Sequence, residues 1–253
     1  VLVLQREAGA GGEQYDEGRG EVDDLMAVVE SEAPSGPLVM AGFSFGSYVT
    51  CRALQRLHPA RDIRHVVFVG TAASRFVVPP IAEELRARAL IVHGELDDTV
   101  PLSAVMDWAR PQSLPVLVMP DAARLESKPK TVLVAWNESV EAMAAIRKSL
   151  PFLVAADTVR ITVIDPPQHD SDRSDPGAML GQMPARHGAK CEIDVLSNTM
   201  YRVSDVLNRH ATDTDADMIV MGAYGHSRFR QSILGGATRS MLEKAAVPVL
   251  MAH

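Results

Sequence analysis

The sequence predicts an α/β protein made of two parallel-sheet units in series, and three observations lead there. The chain has 253 residues, close to the length at which a single core stops growing and chains divide into domains. Short runs rich in Val, Ile and Leu alternate with helix-period stretches along most of it, the pattern of a parallel sheet covered by helices on both faces. The alternation is interrupted at Asp121–Lys130, which reads D-A-A-R-L-E-S-K-P-K and brings in charge and a proline. That seam separates residues 1–124 from residues 128–253.

In the first unit, Pro37–Ala41, Val66–Val69, Ala89–His93 and Leu114–Met119 are strand-like, and Glu21–Val29 and Tyr48–Leu57 are helix-like. The second unit opens with a strand over Thr131–Trp136, a helix over Val140–Ala155, a strand over Val159–Ile164 and a polar loop over Asp165–Pro176. A helix over Pro176–Gly188, a strand over Cys191–Val195, a helix over Arg202–Ala211, a strand over Asp217–Gly222, a helix over Gly236–Ala246 and a last strand over Val247–Ala252 complete it. Five strands and four helices joined by right-handed crossovers make one doubly wound domain.

Composition narrows the functions available. Apolar residues are 47% and charged residues 23% of the chain, ample for a packed core and unlike a disordered chain. The formal net charge of -7 argues against a phosphate-tracking surface, so no nucleic-acid partner is expected. No apolar run reaches the roughly 18–20 residues that span a bilayer, and the amino terminus lacks a basic region followed by an apolar stretch. No membrane association and a cytoplasmic location are therefore expected. Cys51 and Cys191 stand far apart without metal-ligand spacing, so neither a zinc site nor a disulfide framework is expected.

The second unit carries M-G-A-Y-G-H-S-R-F-R-Q-S-I-L-G-G-A-T-R, from Met221 to Arg239. Gly222 and Gly225 sit at the carboxyl end of a predicted strand, and Gly235 with Gly236 opens a predicted helix. Backbone without Cβ atoms can approach a polyphosphate closely, and helix N-terminal N–H groups favour negative charge. A nucleotide is expected here. His226, Arg228 and Arg230 either reach a phosphate or form a solvated basic loop.

These residues resemble the universal stress protein family, whose nucleotide-binding members carry glycine, two residues, glycine, nine residues, then glycine followed by Ser or Thr. Gly222, Gly225 and Gly235 match that spacing, and V-M-G-A-Y-G-H-S and V-P-V-L-M-A-H are similar to the family's fourth and fifth strands. V-L-V-A-W-N-E-S, with Trp136, is most similar to the second domain of two-domain members. The resemblance implies a five-stranded, adenine nucleotide α-hydrolase-like fold. It places adenine near Ala135, Asn137 and the backbone of Val163, and phosphates along Met221, Gly222, Gly225, Gly235, Gly236 and Ala237. It implies ATP, with Mg, as cofactor, and pairing of two copies through Val247–Ala252. Two departures weaken the pattern: Gly236 stands where a hydroxyl residue is usual, and Asn137 stands where an aspartate is usual and brings no charge to help hold Mg²⁺. With no carboxylate poised to orient water, the unit reads as a binding or sensing module.

The first unit contains Gly42-Phe43-Ser44-Phe45-Gly46 directly after a predicted strand and before a helix. This resembles the nucleophile elbow of α/β hydrolases, a strand-to-helix turn that holds a serine exposed between small residues. I-V-H-G-E-L-D-D-T-V-P-L, from Ile91 to Leu102, is similar to that family's acid-bearing loop, with Asp97 the matching carboxylate, and Y-D-E-G-R-G-E-V-D-D, from Tyr15 to Asp24, is similar to a bacterial branch of it. A serine needs a base, which in these enzymes is a histidine after the acid. Here the next histidine is His169, across the seam, and Val116–Pro120 runs into Asp121-Ala122-Ala123-Arg124. His58, His65 and His93 read as structural or surface residues. The first unit is therefore expected to be a truncated, noncatalytic α/β-hydrolase-like segment, with Ser44 and Asp97 vestigial and one oxyanion-hole donor, the N–H of Phe45, remaining. The alternatives are a serine hydrolase with its base from His169 or a partner chain, and a scaffold in which neither site is occupied.

Overall fold

The structure, a computed structural model, describes residues 18–121, 123–124, 128–165, 183–200, 202–223, 238, 240–241 and 244–253. Its first unit opens with α1 (Arg19–Glu32), which buries Val22 and Val29 on one face. β1 (Leu38–Phe43) then leads into α2 (Phe45–Leu57) with Ser44 alone between them. α2 therefore starts three residues before the sequence predicts. β2 (Ile63–Val69), α3 (Glu83–Arg86), β3 (Ala89–Gly94), α4 (Leu102–Ala109) and β4 (Val116–Met119) complete the unit. α4 escapes a periodicity search because its eight residues cover barely two turns. Packing fixes it instead: the Trp108 indole donates to the Val78 carbonyl at 3.1 Å and meets Phe68 edge-on at 5.5 Å.

The second unit runs β5 (Thr131–Trp136), α5 (Val140–Ala155), β6 (Thr158–Ile164), β7 (Cys191–Leu196), α6 (Val203–Asp213), β8 (Met218–Gly222) and β9 (Val249–Ala252). Ser139 caps α5, its Oγ accepting the Ala142 N–H at 3.1 Å, which satisfies one of the donors a helix start leaves unpaired. The helix predicted over Pro176–Gly188 is described only from residue 183, and residues 183–186 are helical. Of the helix predicted over Gly236–Ala246, residues 238, 240, 241 and 244 are described as helical.

All nine strands form one sheet in the order β1-β2-β3-β4-β9-β8-β5-β6-β7. Neighbours are parallel except β4 and β9, which run antiparallel with Val116 opposite Met251, Leu117 opposite Leu250 and Val118 opposite Val249. The two predicted units thus share a sheet. β9 is flanked by β8 and β4, so Val247–Ala252 is not the open edge that the sequence reading assigns to it. Two exposed edges, each with unpaired N–H and C=O groups, satisfy each other within one chain. Pairing two copies there would require displacing β4.

The join extends into the core. Leu117 of β4 is fully buried in the cluster that contains Val132, Ile146, Met218 and Leu250, and Leu90 and Val92 of β3 pack against it. Leu117→Ala is expected to cost about 2–5 kcal/mol, the range for a buried leucine truncation. Each unit carries one tryptophan, Trp108 and Trp136, so denaturation followed in single-tryptophan variants reads them separately. The expected result is that both units lose stability together, as one shared core requires.

The antiparallel join also sets the direction of the two units. The carboxyl ends of β1–β4 lie at one end of the sheet, and those of β5–β9 lie at the other.

Candidate functional site

At the first end, Ser44 has φ +52° and ψ -117°, a conformation outside the ordinary minima of residues with a Cβ. The turn is locked from both sides. Ser44 N donates to the Val69 carbonyl at 2.8 Å, and the buried Ser47 hydroxyl donates to the Gly42 carbonyl at 2.9 Å. The strained serine, the following helix start and the small residues around them are the geometry of a nucleophile elbow. Ser44→Gly is expected to raise stability by about 1 kcal/mol through release of that strain, read as a shift in urea midpoint at unchanged slope.

Asp97 lies in the loop after β3. Its Oδ1 accepts the N–H groups of Thr99 and Val100, both at 2.9 Å. Its Oδ2 is 4.0 Å from His93 Nε2 and 3.7 Å from where a Cβ on Gly70 would stand, and that same point is 3.6 Å from the Phe43 ring. The structure therefore brings Asp97 to the neighbourhood of the elbow strand. His93 is buried, and its Nε2 donates to the Val100 carbonyl at 2.9 Å, so it holds the loop. His58 lies 3.5 Å from Glu84, and His65 is exposed on β2; these agree with the structural reading of all three.

Among the described residues no histidine is placed to act on Ser44. His210 Nε2 is 2.8 Å from Asp194 of β7, at the far edge of the sheet, and His187 lies in the turn before that strand. His253 donates to the Arg110 carbonyl at 2.7 Å, at the amino end of β4; burial, the largest cause, lowers its pKa. His169 lies outside the described residues, and β6, which leads towards it, ends at the opposite end of the sheet from Ser44.

At the second end, β8, β5 and β6 lie side by side. Ala135 is opposite Met221 on one side and Thr162 on the other, and Trp136 is opposite Val163. Ala135, Asn137, Val163, Met221 and Gly222 therefore converge at the carboxyl ends of three adjacent strands. The chain leaves β5 towards β6 on one side and returns through β8 on the other, so the strand order reverses between β5 and β8. This is the position at which doubly wound sheets open a ligand crevice. Gly225, Gly235, Gly236 and Ala237 lie outside the described residues, as do His226, Arg228 and Arg230.

Two features of this end were not legible in the sequence. Asn137 Oδ1 accepts the Ser139 hydroxyl at 2.7 Å and the Ser139 N–H at 3.3 Å, so Asn137 is tied to the cap of α5; serine three residues before Ala142 was the available signal. Gly222 makes room for α5: a Cβ there would stand 2.5 Å from Ala142 N and 2.7 Å from the Glu141 carbonyl carbon. Its lack of a side chain thus serves helix packing, where the sequence suggested room for a phosphate.

Among the described residues no group of three or more His, Cys, Asp or Glu side chains is arranged to hold a metal ion, and no helix is long and apolar enough to cross a membrane.

The profile of the universal stress protein family matches residues 128–253. The universal stress protein Slr1230 of Synechocystis sp. is 30% identical over 145 residues, covering 54% of this chain and 46% of its own length, so the chain spans less than half of that relative. Among solved structures, a lidless α/β serine hydrolase from Xanthomonas campestris is 34% identical over 46% of this chain and 53% of its own, with a TM-score of 0.38. A universal stress protein from Archaeoglobus fulgidus covers 97% of this chain and 82% of its own at 15% identity, with a TM-score of 0.48. The amino-terminal half is α/β-hydrolase-like, and residues 128–253 are a domain of the universal stress protein family.

Proposed function

We propose that the universal stress protein domain binds an adenine nucleotide, ATP with Mg²⁺, in the crevice outside the carboxyl ends of β5 and β8. The observation that supports this most is the strand-order reversal between those two strands, which draws Ala135, Asn137, Met221 and Gly222 to one point. The start of α5 lies against the end of β8 there, and a helix N-terminus favours an anionic group. Adenine would lie against Ala135, Asn137 and the backbone of Val163. Phosphates would follow Met221 and Gly222 towards Gly225, Gly235, Gly236 and Ala237. The domain senses the nucleotide and does not hydrolyse it, since none of these positions supplies a base.

Calorimetric titration of the whole chain with Mg-ATP tests the reading, and saturable binding is the expected result. Asn137→Asp keeps the acceptor for Ser139 and adds a charge for the metal. It is expected to tighten Mg-ATP binding about tenfold, equivalent to about 1.4 kcal/mol. It is also expected to raise stability by about 0.3–1 kcal/mol, because the new charge faces the start of α5. Absence of binding in both proteins would discard the nucleotide reading.

A second reading, a serine hydrolase, is favoured by one observation, the strained backbone of Ser44. A fluorophosphonate probe separates the two. Labelling that is lost in Ser44→Ala would show an activated serine, whereas the expected result is no labelling.

A further inference from the structure

Residues of β1–β4 point alternately to two faces of the sheet, and the two faces are covered differently. Met40, Phe68, Ile91 and Val118 pack into one core with residues of α1, α2, α3 and α4. On the other face the covering helix among the described residues is α5, and its cover thins along each row of neighbouring residues. Leu117 is fully buried in the cluster that α5 supplies, Val92 packs half-buried against that cluster, Val69 is half-buried, and Phe43 at the end of the row is 73% exposed. The row through Leu90 and Val67 ends in the same way at exposed Ala41, and Val39 beyond it is 66% exposed. Parallel strands are ordinarily buried on both faces. Val39, Ala41, Phe43, Val67 and Val69 therefore form an uncovered apolar shelf beside α5.

Its dimensions select an occupant. The shelf is the width of β1 and β2 and the length of the six residues of β1, roughly 10 by 20 Å from the spacing and rise of strands. That is the footprint of one α-helix of about 13 residues. A stable dimer buries about 800 Å² on each partner, several times what this shelf offers, and α5 standing beside it keeps a second sheet from lying flat. Charge sets the direction. The loops after β2 and β3 carry Glu95, Asp97 and Asp98 against one cation, Arg75, and Asp97 flanks Gly70 together with the Phe43 ring. Where β2 and β3 begin, Arg61, Arg64 and Arg88 stand against Asp62. A helix antiparallel to β1 turns its positive start to the carboxylates and its negative end to the arginines.

We infer that this shelf docks one amphipathic helix of a partner protein, lying antiparallel to β1 and β2 beside α5, with its apolar stripe over Val39, Phe43 and Val69. The nucleotide crevice, at the carboxyl ends of β5 and β8, takes no part in it.

The test places a benzophenone photocrosslinker at Phe43 of the full chain, in the cells that make the protein, and identifies the crosslinked peptide by mass spectrometry. The expected product is one segment of a different protein whose apolar residues recur at i, i+3, i+4 and i+7. A synthetic peptide of that segment is expected to gain helical circular dichroism on binding the full chain. Val39→Lys should weaken that binding at least tenfold at an unchanged urea midpoint, because the side chain it replaces is largely exposed. Should Val39→Lys fail to fold, Ala41→Lys makes the same comparison. A crosslinked product of twice the chain mass, a crosslink within one chain, no crosslink, a segment without helical spacing, or peptide binding unchanged in the lysine variants would each overturn the assignment.

Discussion

Replacing Gly42 by alanine is expected to cost about 3 kcal/mol or more, at the upper end of what overpacking does, whereas Gly46→Ala should stabilise by about 0.5–1 kcal/mol. The two glycines flank the same serine, yet their surroundings differ. A Cβ on Gly42 would stand 2.4 Å from the Gly46 carbonyl oxygen and 2.7 Å from the Ser47 Cα, whereas a Cβ on Gly46 meets nothing within 4 Å. The obstacle at Gly42 is backbone in the first turn of α2, which cannot rotate aside as a flexible side chain would. Relief would require α2 to lift from β1, and its buried Val49, Ala53, Leu54 and Leu57 resist that. The Ser47–Gly42 hydrogen bond would stretch as well. Urea denaturation of both variants, followed through Trp108, is the measurement. Tolerance of Gly42→Ala would mean that strand and helix do not approach this closely, and the strained Ser44 would lose its structural cause.

The difference between those glycines illustrates what the sequence carries. The spacing Gly42-Phe43-Ser44-Phe45-Gly46 was legible because a strand-to-helix turn around one serine is a local arrangement, set by neighbouring residues. The crevice of the second unit was legible for a similar reason: the rhythm of strands and helices predicts a doubly wound sheet, and the reversal of strand order follows from the connections. The β4–β9 pair was not. Val-Leu-Val-Met at Val116–Met119 and Val-Leu-Met-Ala at Val249–Ala252 are ordinary apolar runs, and nothing in either specifies its partner or its direction. Their pairing across more than a hundred residues is fixed by what remains unpaired once every local unit has formed. That one contact placed the two candidate sites at opposite ends of the sheet and removed the edge through which two copies were expected to meet.

Gly222→Ala is the second large effect, expected to destabilise the universal stress protein domain by about 3 kcal/mol and to lower Mg-ATP affinity with it. The added Cβ would stand 2.5 Å from Ala142 N and 2.9 Å from the Glu141 Cβ, so β8 and the start of α5 must separate. Ala142 N is the donor to the Ser139 cap, and Ser139 in turn holds Asn137. Displacing α5 therefore disturbs Asn137 and, through it, the side of the crevice proposed for adenine and ribose. Stability, read by Trp136 fluorescence in urea, and affinity, read by calorimetry, should fall together in this variant. Both should rise in Asn137→Asp, which leaves the packing of β8 on α5 untouched. Should Gly222→Ala lose affinity at wild-type stability, the glycine would face the ligand directly, and the close approach of β8 to α5 would no longer explain why a side chain is absent there.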